Sequence, residues 1–237
     1  MSAVKGNLYM LYHDAWWTLG RVLFLYIILP LMALWVLVGL LFDLSPDVMT
    51  TISIPVYANV AIFALIGFKP LYLFAVGMGS TREQYLKSFY LVCLIAVFAV
   101  MLMLNICQYI LKVVYQQIFG WSNILHPGLL VQPDYHFMIY LWVDLMFGLF
   151  LFGLTFLVYS IWYRLGTSKM LIIAMIIFSG LALLYYGETL NTWFNRLIDL
   201  NITPLNCFNI FGAAGLIVLS LTYPLMRNAP LQPKQSR

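Results

Sequence analysis

Residues Phe74–Tyr90 read FAVGMGSTREQYLKSFY, and they carry two glycines, an arginine, a glutamate and a lysine in a chain that is only 8% charged. Outward from this stretch in both directions, apolar runs of membrane-crossing length recur between short polar breaks. They predict six spans at roughly Val22–Phe42, Val48–Phe68, Ser88–Val114, Phe137–Tyr163, Met170–Gly187 and Leu205–Met226. A bilayer core takes about 20 apolar residues per helix, so six spans leave little of the 237 residues over. Hydrophobic residues make up 64% of the chain and the mean hydropathy is +0.94. An average soluble domain is about 25% charged. The fold class is therefore an all-α integral membrane protein, a single transmembrane domain over residues 1–237 with no separate soluble domain. Pro30 and Pro55 fall inside the first two spans, where membrane helices tolerate a kink. No removable leader is legible at the N-terminus.

The basic residues orient the spans. With six spans both termini share a side, and that side collects Lys5, Arg21, Lys69, Arg82, Lys87, Arg164, Lys169, Arg227, Lys234 and Arg237. The opposite side has Lys112 and Arg196 among Asp43, Asp47, Asp134, Glu188 and Asp199. An excess of Lys and Arg marks the cytosolic face, so both termini and the opening stretch are expected there. The net charge of +4 suits contact with membrane headgroups, and nothing in it suggests nucleic acid.

Two polar segments have helical periodicity without the length to cross. Within residues 1–21, NLYMLYHDAWWTLG sets Leu8, Leu11, Tyr12, Ala15, Trp16 and Leu19 on one face, as an interfacial helix does. Within residues 188–204, LNTWFNRLIDLN groups Leu190, Trp193, Phe194 and Leu197, which suits either an outer gate or a helix resting in the outer leaflet.

The opening stretch belongs to a segment, residues 69–87, that joins the second and third spans. Lys69-Pro70 ends the second span, because a residue before proline is biased away from helix. LYLFAVGMG is too apolar for a solvated loop and too short to cross, so it reads as a short surface helix. Gly77 and Gly79 permit a sharp turn. Ser80 or Thr81 can then cap the next helix with Glu83 or Gln84 in its first turn, STRE being a capping-box match. A rigid elbow of this kind could transmit a push from a partner to two spans.

KPLYLFAVGMGSTREQYL resembles the coupling-helix segment of type-2 ATP-binding cassette exporter permeases through Pro70, Leu71, Gly79, Thr81, Arg82 and Tyr85. Tyr85 stands where a phenylalanine is common, and Glu83 where a second basic residue is frequent. The layout of an N-terminal interfacial helix, six spans and an outer amphipathic segment is similar as well. The resemblance implies a permease subunit in the plasma membrane that pairs with a second permease copy and two ATPase subunits. ATP and Mg would then be held by those partners, and this chain would be no enzyme and need no cofactor of its own. The contact residues it implies are Gly77, Gly79, Ser80, Thr81, Arg82, Glu83 and Tyr85. Consistent with that division, the sequence contains no G-x-x-x-x-G-K-[ST].

A proton- or ion-coupled transporter is the rival reading. It would use Asp144, the single acidic residue that falls inside a span, near the outer boundary beside Trp142, where an interfacial or bundle-facing polar residue is the plainer reading. His126 and His136 with Asp134 could hold a metal, but their spacing fits no common motif and reads as ordinary loop chemistry. Cys93, Cys107 and Cys207 read as small core residues. No catalytic or metal set emerges. Asn105, Gln108 and Thr155 among Phe, Tyr and Met side chains would line a path for an amphipathic cargo: a peptide, an antibiotic or a lipid-like molecule.

Overall fold

The computed structural model describes residues 3–42, 50–120, 124–187, 192 and 202–230. The described residues are almost wholly helical, and six segments are long and apolar enough to cross a membrane. Helix α1 (Ala3–Ala15) runs through a π-helical stretch (Trp16–Ile28) into α2 (Leu29–Phe42). Then come α3 (Ser53–Ile66), α4 (Lys69–Gly77), α5 (Arg82–Phe119), a 3-10 turn (Pro127–Leu130), α6 (Phe137–Leu165), α7 (Thr167–Tyr186) and α8 (Pro204–Arg227). The expected gate segment, with Leu190, Trp193, Phe194 and Leu197, lies outside the described residues.

The first two spans differ from the sequence expectation at their starts. The segment within residues 1–21 is not a separate helix, because α1 continues into the first span without a break. The reason is the π-helical stretch. Its i→i+5 bonds, such as Leu29 N–H to the Phe24 carbonyl, widen the turn. The buried residues Leu19, Leu23, Phe24 and Ile28 accordingly recur every four or five positions. The pattern ends beside Pro30, which has no N–H to carry the ladder on. The second difference is α3, which starts at Ser53 rather than Val48, because Thr50 is drawn into an extended bridge with Ile124.

Spans α6 and α8 run parallel and make the tightest contact of the bundle. A Cβ built at Gly153 would lie 2.3 Å from the Gly215 carbonyl oxygen, and one at Gly215 would lie 2.6 Å from both the Leu149 oxygen and the Phe150 Cα. Small residues let membrane helices approach backbone to backbone, and here only glycine fits. By contrast α7 buries no residue, and among the described elements its main neighbour is α6.

At the α4 end, aromatic side chains fill the core. Phe152, Phe156, Tyr159 and Tyr163 lie on one face of α6, and Tyr85 and Phe89 on one face of α5, at i,i+3 and i,i+4 spacing. Phe68, in the bend between α3 and α4, sits among them, its ring centroid 4.9–6.2 Å from those of Tyr72, Tyr85, Phe89, Phe156, Tyr159 and Tyr163. The bend is thereby anchored to α5 and α6. Both described chain ends lie at this end: Asn7 bonds Ser80, and the Ala229 carbonyl accepts from Tyr72 and Arg82.

Candidate functional sites: the elbow and a buried carboxylate

The elbow is built within four residues. Helix α4 ends in a Schellman motif, in which Ser80 N–H bonds the Ala75 carbonyl and Gly79 N–H bonds that of Val76. Gly79 supplies the positive φ of 89° that the motif requires. Gly77 is an ordinary residue of the last helical turn, so the reversal needs one glycine rather than the two expected. Thr81 then caps α5 in a reciprocal box with Gln84: its hydroxyl accepts from Gln84 N–H at 3.2 Å, and its own N–H donates to Gln84 Oε1 at 3.3 Å. The box is therefore TREQ, one position beyond the STRE expected, because Ser80 is occupied elsewhere. Its Oγ is buried and accepts from Asn7 Nδ2 at 2.7 Å.

The residues expected to touch a partner divide into two groups. Tyr85 is fully buried and donates to the Phe68 carbonyl at 3.0 Å. Arg82 donates to the Ala229 carbonyl at 3.0 Å, and Glu83 holds Lys87 at 2.9 Å, Arg227 at 3.5 Å and the Tyr223 hydroxyl at 2.9 Å. These side chains, with Ser80, clasp the elbow to α1 and α8. Gly77, Gly79 and Thr81 are exposed beside them. The open face is instead apolar, formed by Leu73, Phe74 (58% exposed) and Met78 (73% exposed). It borders a groove of about 630 Å³ between α4 and α1, lined in part by Met10, His13 and Trp17. The signal was present in the helical period of LYLFAVGM, where Tyr72 and Ala75 alternate with this triplet.

The second site lies toward the opposite end. Asp144 on α6 is fully buried. Its Oδ1 accepts from the Tyr57 hydroxyl of α3 at 2.5 Å and from His126 Nε2 at 2.6 Å, and its Oδ2 accepts from Asn105 Nδ2 of α5 at 3.4 Å. His126 Nδ1 accepts from Gly128 N–H at 2.8 Å. The ring proton therefore sits on Nε2 and points at the carboxylate, and the imidazole is neutral. Three donors around one carboxyl is the arrangement of an ionised group. Tyr140 stacks on the imidazole, centroids 4.6 Å apart, and Tyr135 donates to Asn105 Oδ1 at 2.6 Å. Lys112 lies over the Tyr135 ring at 5.2 Å. The cluster ties the α5–α6 connection into the bundle between α3, α5 and α6.

Several expectations change here. Asp144, for which the sequence leaves an interfacial or a bundle-facing place open, is buried within the bundle. His126 stands in the connection just before the 3-10 turn, but it is a buried partner of Asp144 rather than ordinary loop chemistry. Among the described residues no three His, Cys, Asp or Glu side chains converge as a metal set. Asn105 and Gln108 line no open path, since both are buried, and Gln108 Nε2 bonds Ser53 at 3.1 Å. Thr155 bonds the Leu151 carbonyl of its own helix. The Tyr57–Asp144 contact joins residues with no shared local pattern, and sequence periodicity carries no trace of it.

No model of a protein family, no curated protein and no solved structure matches the chain.

Proposed function

We propose that this chain is the membrane-spanning permease subunit of an ATP-binding cassette exporter. The observation that carries the reading is the elbow. A short helix between the second and third spans ends in a Schellman motif, is clasped to α1 and α8, and turns an apolar face outward. Such a helix moves only together with α3 and α5, which is what transmission from a docked ATPase requires. In this reading the elbow and both termini are cytosolic, in line with the basic residues at that end. Leu73, Phe74 and Met78 dock the ATPase, with Thr81 and Arg82 alongside. ATP and Mg bind the partner, and a second permease copy completes the pathway in the plasma membrane. The cargo is amphipathic: a peptide, an antibiotic or a lipid-like molecule. Residues 188–204 act at the outer mouth.

The test is co-purification of a P-loop ATPase from native membranes. Phe74→Glu with Met78→Glu should lose the ATPase and ATP-driven export while the permease stays inserted and helical. Retained assembly and export in that variant would refute the docking face.

The Asp144 cluster favours a second reading, a proton- or ion-coupled transporter. Reconstituted alone, the chain would then carry out flux driven by a pH or ion gradient, and Asp144→Asn would abolish it. The permease reading expects no gradient-driven flux without the ATPase.

A further inference from the structure

A groove of about 540 Å³ runs between the π-helical stretch and α5. Its walls are apolar along Phe24, Ile95, Ala99 and Met103, and the cation Arg21 stands on it with Trp16 beside. On α5 it extends from Val92 to Met103, about 16 Å at the rise of a helix and near half the thickness of a bilayer core. Three observations say what fills it. First, Arg21 makes no ion pair or hydrogen bond to a described protein group; its guanidinium only rests over the Trp17 ring at 5.0 Å. A guanidinium beside an apolar helix surface requires an anion or water for its five N–H groups. Second, the 21 residues that follow, Val22–Phe42, hold no charge, so Arg21 is the point at which the first span can meet a headgroup. Third, the groove wall is the π-helical stretch, a rare backbone that is frequently found at functional sites. The same widened turn directs Trp16, Arg21 and Leu25 into the groove at intervals of four and five residues.

We propose that this groove is a binding site for a membrane phospholipid with an anionic headgroup, its phosphate on Arg21 and one acyl chain between the π-helical stretch and α5. The site stands on the groove itself and on neither transport reading. Basic residues near a bilayer surface recruit anionic lipid in this way.

The test uses the full chain purified in mild detergent and titrated with phosphatidylglycerol or phosphatidylcholine, bound lipid being counted by native mass spectrometry. The wild type should retain phosphatidylglycerol at about fivefold lower concentration than phosphatidylcholine, the scale of one basic contact. Arg21→Gln should erase that preference, and Arg21→Lys should keep it. Ala99→Phe, which fills the groove without touching the charge, should reduce binding of both lipids. Circular dichroism checks that each variant is folded, and the lysine and Ala99 variants decide the matter if Arg21→Gln is not. Equal binding of the two lipids by the wild type, an unchanged preference in Arg21→Gln, or full binding in Ala99→Phe would overturn the proposal.

Discussion

Replacing Tyr57 by Phe removes one hydroxyl and nothing else, so it measures what the Asp144 cluster contributes. In the native cluster that hydroxyl donates to a carboxylate at 2.5 Å, out of reach of water. A hydrogen bond to a charged group contributes about 1.5–3 kcal/mol, a neutral one about 1 kcal/mol. Tyr57→Phe should therefore cost about 2 kcal/mol, because Asp144 keeps its His126 and Asn105 donors and is not left unpaired. Asp144→Asn changes the pattern differently. Its oxygen can still serve Tyr57 and His126, but its amide faces the Asn105 amide, donor against donor. In that background the Tyr57 bond is neutral, and its loss should cost only about 1 kcal/mol. The double-mutant cycle thus predicts a coupling near 1 kcal/mol, above the ~0.3–0.5 kcal/mol within which independent sites add. Reversible unfolding in mixed micelles, followed by circular dichroism, would supply the four free energies. Strict additivity would show that the hydroxyl does not reach an ionised Asp144, and the account of the cluster would fall.

Three further outcomes are expected. Gly215→Ala should destabilise the chain by about 3 kcal/mol, the upper end for overpacking, since the added methyl meets the backbone of Leu149 and Phe150 rather than a movable side chain. Gly180→Ala on α7, with nothing within 4 Å, should be neutral or slightly stabilising, so equal unfolding midpoints for the two would contradict the crossing. Arg82→Glu sets an acid beside Glu83 and removes the bond to Ala229, so limited proteolysis should cut sooner after α8; an unchanged digestion pattern would show that Arg82 does not hold that segment. For topology, single cysteines at the exposed Met78 and Leu130 in a background without Cys93, Cys107 and Cys207 should differ in intact cells. An impermeant thiol reagent should label position 130 and spare 78, and the reverse would invert the chain.

What the sequence disclosed follows the range of its signals. Spans are local and one-dimensional, and the runs ending at Phe42 and Tyr163 lie within two residues of the helix ends observed. The elbow was legible because turn chemistry is local too: Gly79 and Thr81 announce a left-handed residue and a cap. The one-residue shift of the box was not, since what removes Ser80 is Asn7, 73 residues away. The Asp144 cluster was hidden for the same reason, its partners coming from α3, α5 and the turn at Pro127–Leu130. The π-helical stretch escaped because a period of four to five sits close to 3.6 over so few turns, and only the burial of Ile28 in place of Ile27 separates them.

The parallel pairing of α6 and α8 has a consequence for how the chain is made. Gly153 and Gly215 are 62 positions apart, and everything between them leaves the ribosome first. When α6 enters the bilayer, Gly148 already packs on Met101 of α5, but the face at Leu149, Phe150 and Gly153 has no partner, and α7, which follows directly, buries none of its residues against it. The tightest helix pair of the molecule therefore closes last, after synthesis has passed Gly215. Until then an early α6 holds an open, backbone-exposing seam within the membrane. Any insertion factor that shelters nascent spans would find its longest-lived client there, and a chain truncated before Pro204 would keep that seam open for good.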